Sequence, residues 1–167
     1  MPELPEVETI KEDLKKKIVG KTILKASTDN PNTIKEPALE EFIAELKGRK
    51  IVDVSRRAKN LLIHLDGNLV IAIHLKMTGH LLVSDGIEVK NGRWDTEDKD
   101  SPLSFGVNQF VHLVLKLTNN KIFGLSDMRK FATVRLVTKE RSDELLSDLG
   151  PEPLDKSFTF DEFLRII

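Results

Sequence analysis

The chain has 167 residues, of which 40% are apolar and 32% charged, and it carries no cysteine. That length suits one domain with a real core, and the lack of thiols excludes disulfides and cysteine-ligated zinc. A net charge of −1 is low for a nucleic-acid-binding domain, no stretch approaches a membrane span, and the N-terminus lacks the basic and apolar regions of a signal peptide, so a cytoplasmic protein is expected.

The chain opens MPELPEVETI. Val7, Ile10, Leu14 and Ile18 recur on one helical face and predict an amphipathic helix over residues 5–18, ended by Gly20. Pro5 suits its first turn, and Glu6 and Glu8 suit the positive end of its dipole. Neither reason covers Pro2 or Glu3, which precede the helix. Residues 22–28 alternate as a strand, and residues 38–47 predict a second helix closed by Gly48. Strands follow at 50–56, 60–65, 69–75 and 80–84, with Asp66-Gly67-Asn68 as a hairpin turn. The polar, Gly-containing stretch 85–106 predicts a long mobile loop. Strands resume at 109–118, 121–125 and 132–138, with Asn119-Asn120 as a turn. A short helix is expected over 139–148, stopped by Gly150, then a rigid connector at 151–153 and a last helix from about Thr159.

These elements predict an α+β fold, mainly β. Many short antiparallel strands must each bury one face, so about eight of them should form a two-layer β-sandwich or flattened barrel, flanked by an N-terminal helix and a short C-terminal one. Three basic clusters stand out: Lys15-Lys16-Lys17, Arg56-Arg57-Ala58-Lys59 and Arg129-Lys130. The first is best read as a solvated helix face.

Pro2 has a distinct chemical possibility. A small second residue normally permits removal of the initiator methionine, which would leave Pro2 as a free secondary amine. An α-amine titrates far below lysine, so a useful fraction is neutral near pH 7. Such an amine attacks an aldehyde carbon and gives an iminium, a strong electron sink. Glu3 beside it could move protons. On these two residues alone, a tolerated second residue is the plainer account of Pro2.

Five collinear stretches change that balance: MPELPEVET, RRAKNLLIHL at 56–65, HLKMTGHL at 74–81, DMRKFATVRL at 127–136 and LGPEPL at 149–154. Together they resemble the formamidopyrimidine-DNA glycosylase family, the bifunctional base-excision repair enzymes, and the resemblance runs over essentially the whole chain. It implies removal of 8-oxoguanine and formamidopyrimidines from damaged double-stranded DNA, with β,δ-elimination through a Schiff base on Pro2. By the same resemblance, residues 1–155 are the catalytic domain. Residues 156–167 begin the helix leading to a helix–two-turn–helix domain that this chain does not contain. That domain is a further expected partner, no membrane is involved, and a monomer is expected.

The resemblance also assigns roles. Pro2 is the nucleophile and Glu3 the acid that protonates the leaving group. Glu6 is a further active-site carboxylate, a role that competes evenly with its helix-dipole role. Lys59 contacts phosphate and donates a proton; otherwise it is an exposed turn lysine. His74 touches a phosphate, Met77 fills the gap left by the flipped base, Arg129 pairs with the orphaned base and Phe131 wedges between base pairs. The plainer readings are a structural histidine, a core methionine and a strand phenylalanine facing the core. Flipping a base costs a few kcal/mol, and such wedges recover part of it.

PELPEV and DMRKF favour the oxidised-purine branch over endonuclease VIII-type enzymes for oxidised pyrimidines. The 85–106 loop is longer than in common members, and Asn108 stands near the position of a DNA-contacting family histidine. With no cysteine, the family's zinc finger is not in this chain, so no cofactor is expected. A non-catalytic DNA-binding fragment and an inert fragment are the readings from other classes.

Overall fold

The computed structural model describes residues 2–149, 152, 156 and 159–166. The expected stop at Gly150, the connector prolines Pro151 and Pro153 and the junction at residue 155 lie outside the described residues, as does Met1.

Two sheets face each other, as the alternating strands require. In chain order the elements are α1 (Leu4–Ile18), β1 (Ile23–Thr28), β2 (Ile34–Glu36), α2 (Leu39–Leu46), β3 (Ile51–Arg57), β4 (Asn60–Leu65), β5 (Leu69–His74), β6 (Gly79–Asp85), β7 (Val89–Lys90), β8 (Arg93–Trp94), β9 (Val111–Leu117), β10 (Lys121–Asp127), β11 (Thr133–Thr138), α3 (Lys139–Leu145) and α4 (Phe160–Ile166). One sheet has the order β1-β9-β10-β6, the other β2-β11-β5-β4-β3. The fold class is the expected one. Among the described residues only β2 on β11 is parallel; every other neighbouring pair is antiparallel.

Period-2 alternation explains the core. Val111, Leu113, Leu115 and Leu117 of β9 are buried while the residues between them are half-buried. Leu113, Leu115 and Leu117 join Ile63, Ile71, Ile73 and Val134 of the facing sheet in one cluster. Val7, Leu14 and Ile18 of α1 join that cluster, and α1 lies against β3, β4 and β6. The hairpin turns carry the residues they need. Gly67 and Asn68, and likewise Asn119 and Asn120, all have positive φ, as a two-residue turn matching strand twist requires.

The 85–106 stretch departs from the mobile loop expected of its polarity. It forms the β7–β8 hairpin, and Trp94 with Leu103 buries against Val111 and Ile122 in a second hydrophobic cluster. Trp94 lies so close to Gly124 that an added Cβ would sit 2.7 Å from its ring. This third layer explains why nearly every residue of β10 is buried on both faces. A fully buried large apolar side chain contributes on the order of 2–3 kcal/mol, enough to hold a polar segment in place.

Candidate active site

Strand register gathers the candidate residues at one end of the sandwich. In the five-stranded sheet His74 stands opposite Asn60 on β4 and Thr133 on β11. Lys59, in the β3–β4 turn, is therefore beside His74. In the four-stranded sheet the last rung pairs Asp127 with Gly79. The loop 75–78 connects the two sheets at this end and carries Met77, and the loop 128–132 beside it carries Arg129 and Phe131.

The N-terminus of α1 supplies the acids. Glu3 is the N-cap, and Glu3 with Glu6 forms a capping box. The Glu6 Oε2 accepts the Glu3 backbone N–H at 2.9 Å. The cap and the active-site readings of Glu6 are thus compatible, because the bond that caps the helix also fixes the carboxylate beside Pro2. Pro2, Glu6, Thr9, Ile10 and His80 line a cavity of about 340 Å³. Lys59 Nζ pairs with Glu3 Oε2 at 2.9 Å, so an acid and a base that the sequence separates by 56 positions are in contact. Both remain solvent-accessible, so this contact positions the two groups more than it stabilises the fold.

A buried guanidinium sits behind this layer. Arg56 bonds Glu8 of α1 and the Glu152 carboxylate, and its Nη1 also donates to the Ala58 carbonyl at 3.1 Å. The Lys11 ammonium and the Arg56 guanidinium hold the Glu8 carboxyl below its usual range. The sequence groups Arg56 with Arg57 and Lys59 in a basic cluster. The Arg56 side chain is only 5% exposed and it is a structural tie.

His74 is half-buried, and the Lys76 backbone N–H donates to its Nδ1 at 3.0 Å. A neutral ring therefore carries its proton on Nε2, as a donor. Burial, then the charges of Lys76 and Lys59, lower its pKa. Burial is also the main cause lowering His64 and His80, with Asp127 opposing it at His80. His80 was not singled out from the sequence; its pairing with Ser126 across the β6–β10 ladder places it in the Pro2 cavity.

These three histidines give a pH prediction. Each resists protonation in the folded chain more than in the unfolded one, so each contributes stability above pH 6.5 that is lost as pH falls. The urea midpoint should be flat from pH 8 to 7 and drop between pH 6.5 and 5.5. A midpoint that rises on acidification over that window refutes this account.

Met77 and Phe131 are exposed at 43% and 50%, which sets aside the core readings of both. Arg129 links them: its Nη1 donates to Met77 Sδ at 3.4 Å and its guanidinium lies 4.9 Å from the Phe131 ring centroid. Asn108 is buried and donates to the Pro102 carbonyl at 2.7 Å, so it does not present its amide as the family histidine would. Its neighbours Phe105, Val107 and Phe110 are the exposed ones.

Among the described residues no group of three or more histidine, aspartate or glutamate side chains could hold a metal ion. With no cysteine, the residues of this chain do not fit a thiolate zinc finger. No helix among the described residues is long and apolar enough to cross a membrane.

Residues 1–134 match the family model described as the formamidopyrimidine-DNA glycosylase N-terminal domain. The chain is 35% identical over 165 residues to a formamidopyrimidine-DNA glycosylase of Heliobacterium modesticaldum, covering 98% of this chain and 54% of that protein. It is 40% identical over 162 residues to the Bacillus subtilis protein of the same name, covering 95% and 52%. Among solved structures it resembles Lactococcus lactis Fpg in complex with abasic-site DNA. That match has a TM-score of 0.80 at 26% identity, covering 99% of this chain and 55% of that one. The same L. lactis protein is also described with DNA containing N7-benzyl-Fapy-dG. The chain spans about half the length of the curated relatives it matches.

Proposed function

The chain belongs to the formamidopyrimidine-DNA glycosylase family, and from that membership we propose that it is the catalytic domain of a DNA glycosylase and abasic-site lyase acting in the cytoplasm on oxidised purines. The observation that carries this reading is the arrangement at the α1 N-terminus. Pro2 shares a cavity with Glu6, and the next residue, Glu3, is in contact with Lys59.

The chemistry assigns each group one task. Once the initiator methionine is gone, the Pro2 nitrogen attacks C1′ of the damaged nucleotide and the bond to the base breaks. The base leaves with a proton from Glu3 or Lys59. The Pro2 nitrogen gives up its N–H proton, the C1′–O4′ bond breaks with O4′ taking a proton from Glu3, and the nitrogen lone pair forms the C1′=N bond of an iminium. That cation acidifies C2′; loss of the C2′ proton and cleavage of the C3′–oxygen bond complete β-elimination. Loss of the C4′ proton and cleavage of the C5′–oxygen bond then complete δ-elimination and release the other phosphate. Water then hydrolyses the iminium and returns the Pro2 amine.

Binding is divided in the same way. We assign His74 Nε2–H and Lys59 to phosphate, with His74 able to donate while neutral. Met77, Arg129 and Phe131 are assigned to the space left by the flipped base, which supports the oxidised-purine branch. Phosphate contacts supply most non-specific affinity. With a net charge of −1, this chain should bind duplex DNA weakly, with a shallow salt dependence that reflects few phosphate contacts.

Borohydride trapping tests the proposal. Purified chain is mixed with duplex DNA carrying an abasic site, the iminium is reduced and the intact mass is measured. The expected product is chain minus methionine plus DNA, mapped to Pro2. A folded, demethionylated chain that gives no adduct would refute catalysis by this chain alone and favour a DNA-binding role.

A further inference from the structure

The two loops that carry Met77 and Arg129-Phe131 are tied by a buried carboxylate. Asp127 ends β10 and is 3% exposed. Its Oδ1 accepts the Thr78 hydroxyl, and its Oδ2 accepts the Ala132 backbone N–H at 2.7 Å. Thr78 Oγ1 in turn accepts the Arg129 backbone N–H at 3.1 Å. One carboxylate thus fixes the loop 128–132 at its far end directly and at its near end through Thr78, while Thr78 belongs to the other loop.

We propose that Asp127 and Thr78 are positioning residues, forming a latch that holds the two loops in register so that Met77, Arg129 and Phe131 enter the duplex as one preformed block. This rests on the reading of those three side chains as duplex-inserting. A buried carboxylate is costly unless its oxygens are used, and here both are. The latch also accounts for two strained residues. Lys76 and Lys130, one in each loop, have φ of 56° and 59°, a region lysine rarely adopts and holds only where the surroundings impose it. Gly79, beside the latch, is constrained by space instead: an added Cβ would sit 2.6 Å from the Leu75 carbonyl oxygen.

The latch matters for rate because a wedge must be in place while the base is out of the stack. Three separately mobile side chains would each have to be ordered during insertion. Joined through the Arg129 contacts and held from below by Asp127, they are ordered beforehand.

Thr78→Val removes the hydroxyl at constant shape, Thr78→Ser restores it, and Asp127→Asn replaces one acceptor by a donor. Amide hydrogen exchange in the free protein reads the latch itself. Thr78→Val should speed exchange at Arg129 by at least tenfold, and Thr78→Ser should return it to the parent rate. Borohydride trapping reads the consequence, comparing an abasic site in a duplex with the same site in a single strand, which has no stack to enter. The ratio of duplex to single-strand trapping should fall at least tenfold in Thr78→Val and recover in Thr78→Ser. Unchanged Arg129 exchange in a folded Thr78→Val chain overturns the latch. Equal loss on both DNAs overturns its role in insertion. If the parent chain traps neither DNA, the glycosylase reading of this chain fails, and the exchange measurement alone decides the latch.

Discussion

A chain carrying one extra residue ahead of Pro2 is expected to lose iminium trapping by about a thousandfold or more while keeping its fold. The reason is chemical. An added residue turns the Pro2 nitrogen into a tertiary amide, whose lone pair is delocalised into the carbonyl and no longer attacks carbon. The folding core is untouched, because Val7 is the first residue of the chain in the main cluster. Intact mass separates chains that retain methionine from those that do not, so one preparation supplies both the active and the blocked form. Far-ultraviolet circular dichroism should be the same for the two. Trapping that survives in the extended chain would move the nucleophile elsewhere, to Lys59 as the nearest amine paired to Glu3.

Arg56→Ala should cost about 3 kcal/mol of unfolding free energy, or roughly 6–12 °C in Tm for a chain of this size. The guanidinium is nearly inaccessible, and its removal takes away the cation shared by Glu8 and Glu152, leaving Glu8 to Lys11 and Glu152 to Arg57. Glu8 is partly exposed, which is why the expected cost sits at the lower end for a broken buried pair. Arg56→Lys should recover only part of this, since one ammonium cannot reproduce a planar fork that reaches two carboxylates and the Ala58 carbonyl. A functional loss should accompany the loss of stability. Arg56 braces the turn that carries Lys59 and ties β3 to the helix whose start carries Glu3 and Glu6. Urea denaturation measures the first effect and trapping at saturating DNA the second. A cost below about 1 kcal/mol would show the cluster to be screened by solvent.

Periodicity and turn residues located α1, α2 and the eight longer strands; most of these bury one face and repeat at 3.6 or 2 residues, while β10 is buried on both faces. It missed β2, β7 and β8, which are two or three residues long and too short to show a period. The stretch 85–106 read as mobile because its apolar residues are few and scattered. Trp94 and Leu103 lie nine positions apart and form a cluster only because β9 and β10 offer them Val111 and Ile122.

The candidate site divides along the same line. Sequence by itself determined which residue types are present and in what order: a proline amine at position 2 with acids after it, a basic turn before an apolar strand, and the Met77 and Arg129-Phe131 stretches. It could not decide between wedge and core for Met77 and Phe131, because alternation says which residues share a face but not which face is covered. Tertiary structure decided that, by leaving both exposed. It also decided three roles with no local signal. Arg56 became a buried tie, His80 a wall of the Pro2 cavity and Asp127 a latch, because the tertiary fold brings together residues as far as 96 positions apart and local sequence carries no record of such distant contacts.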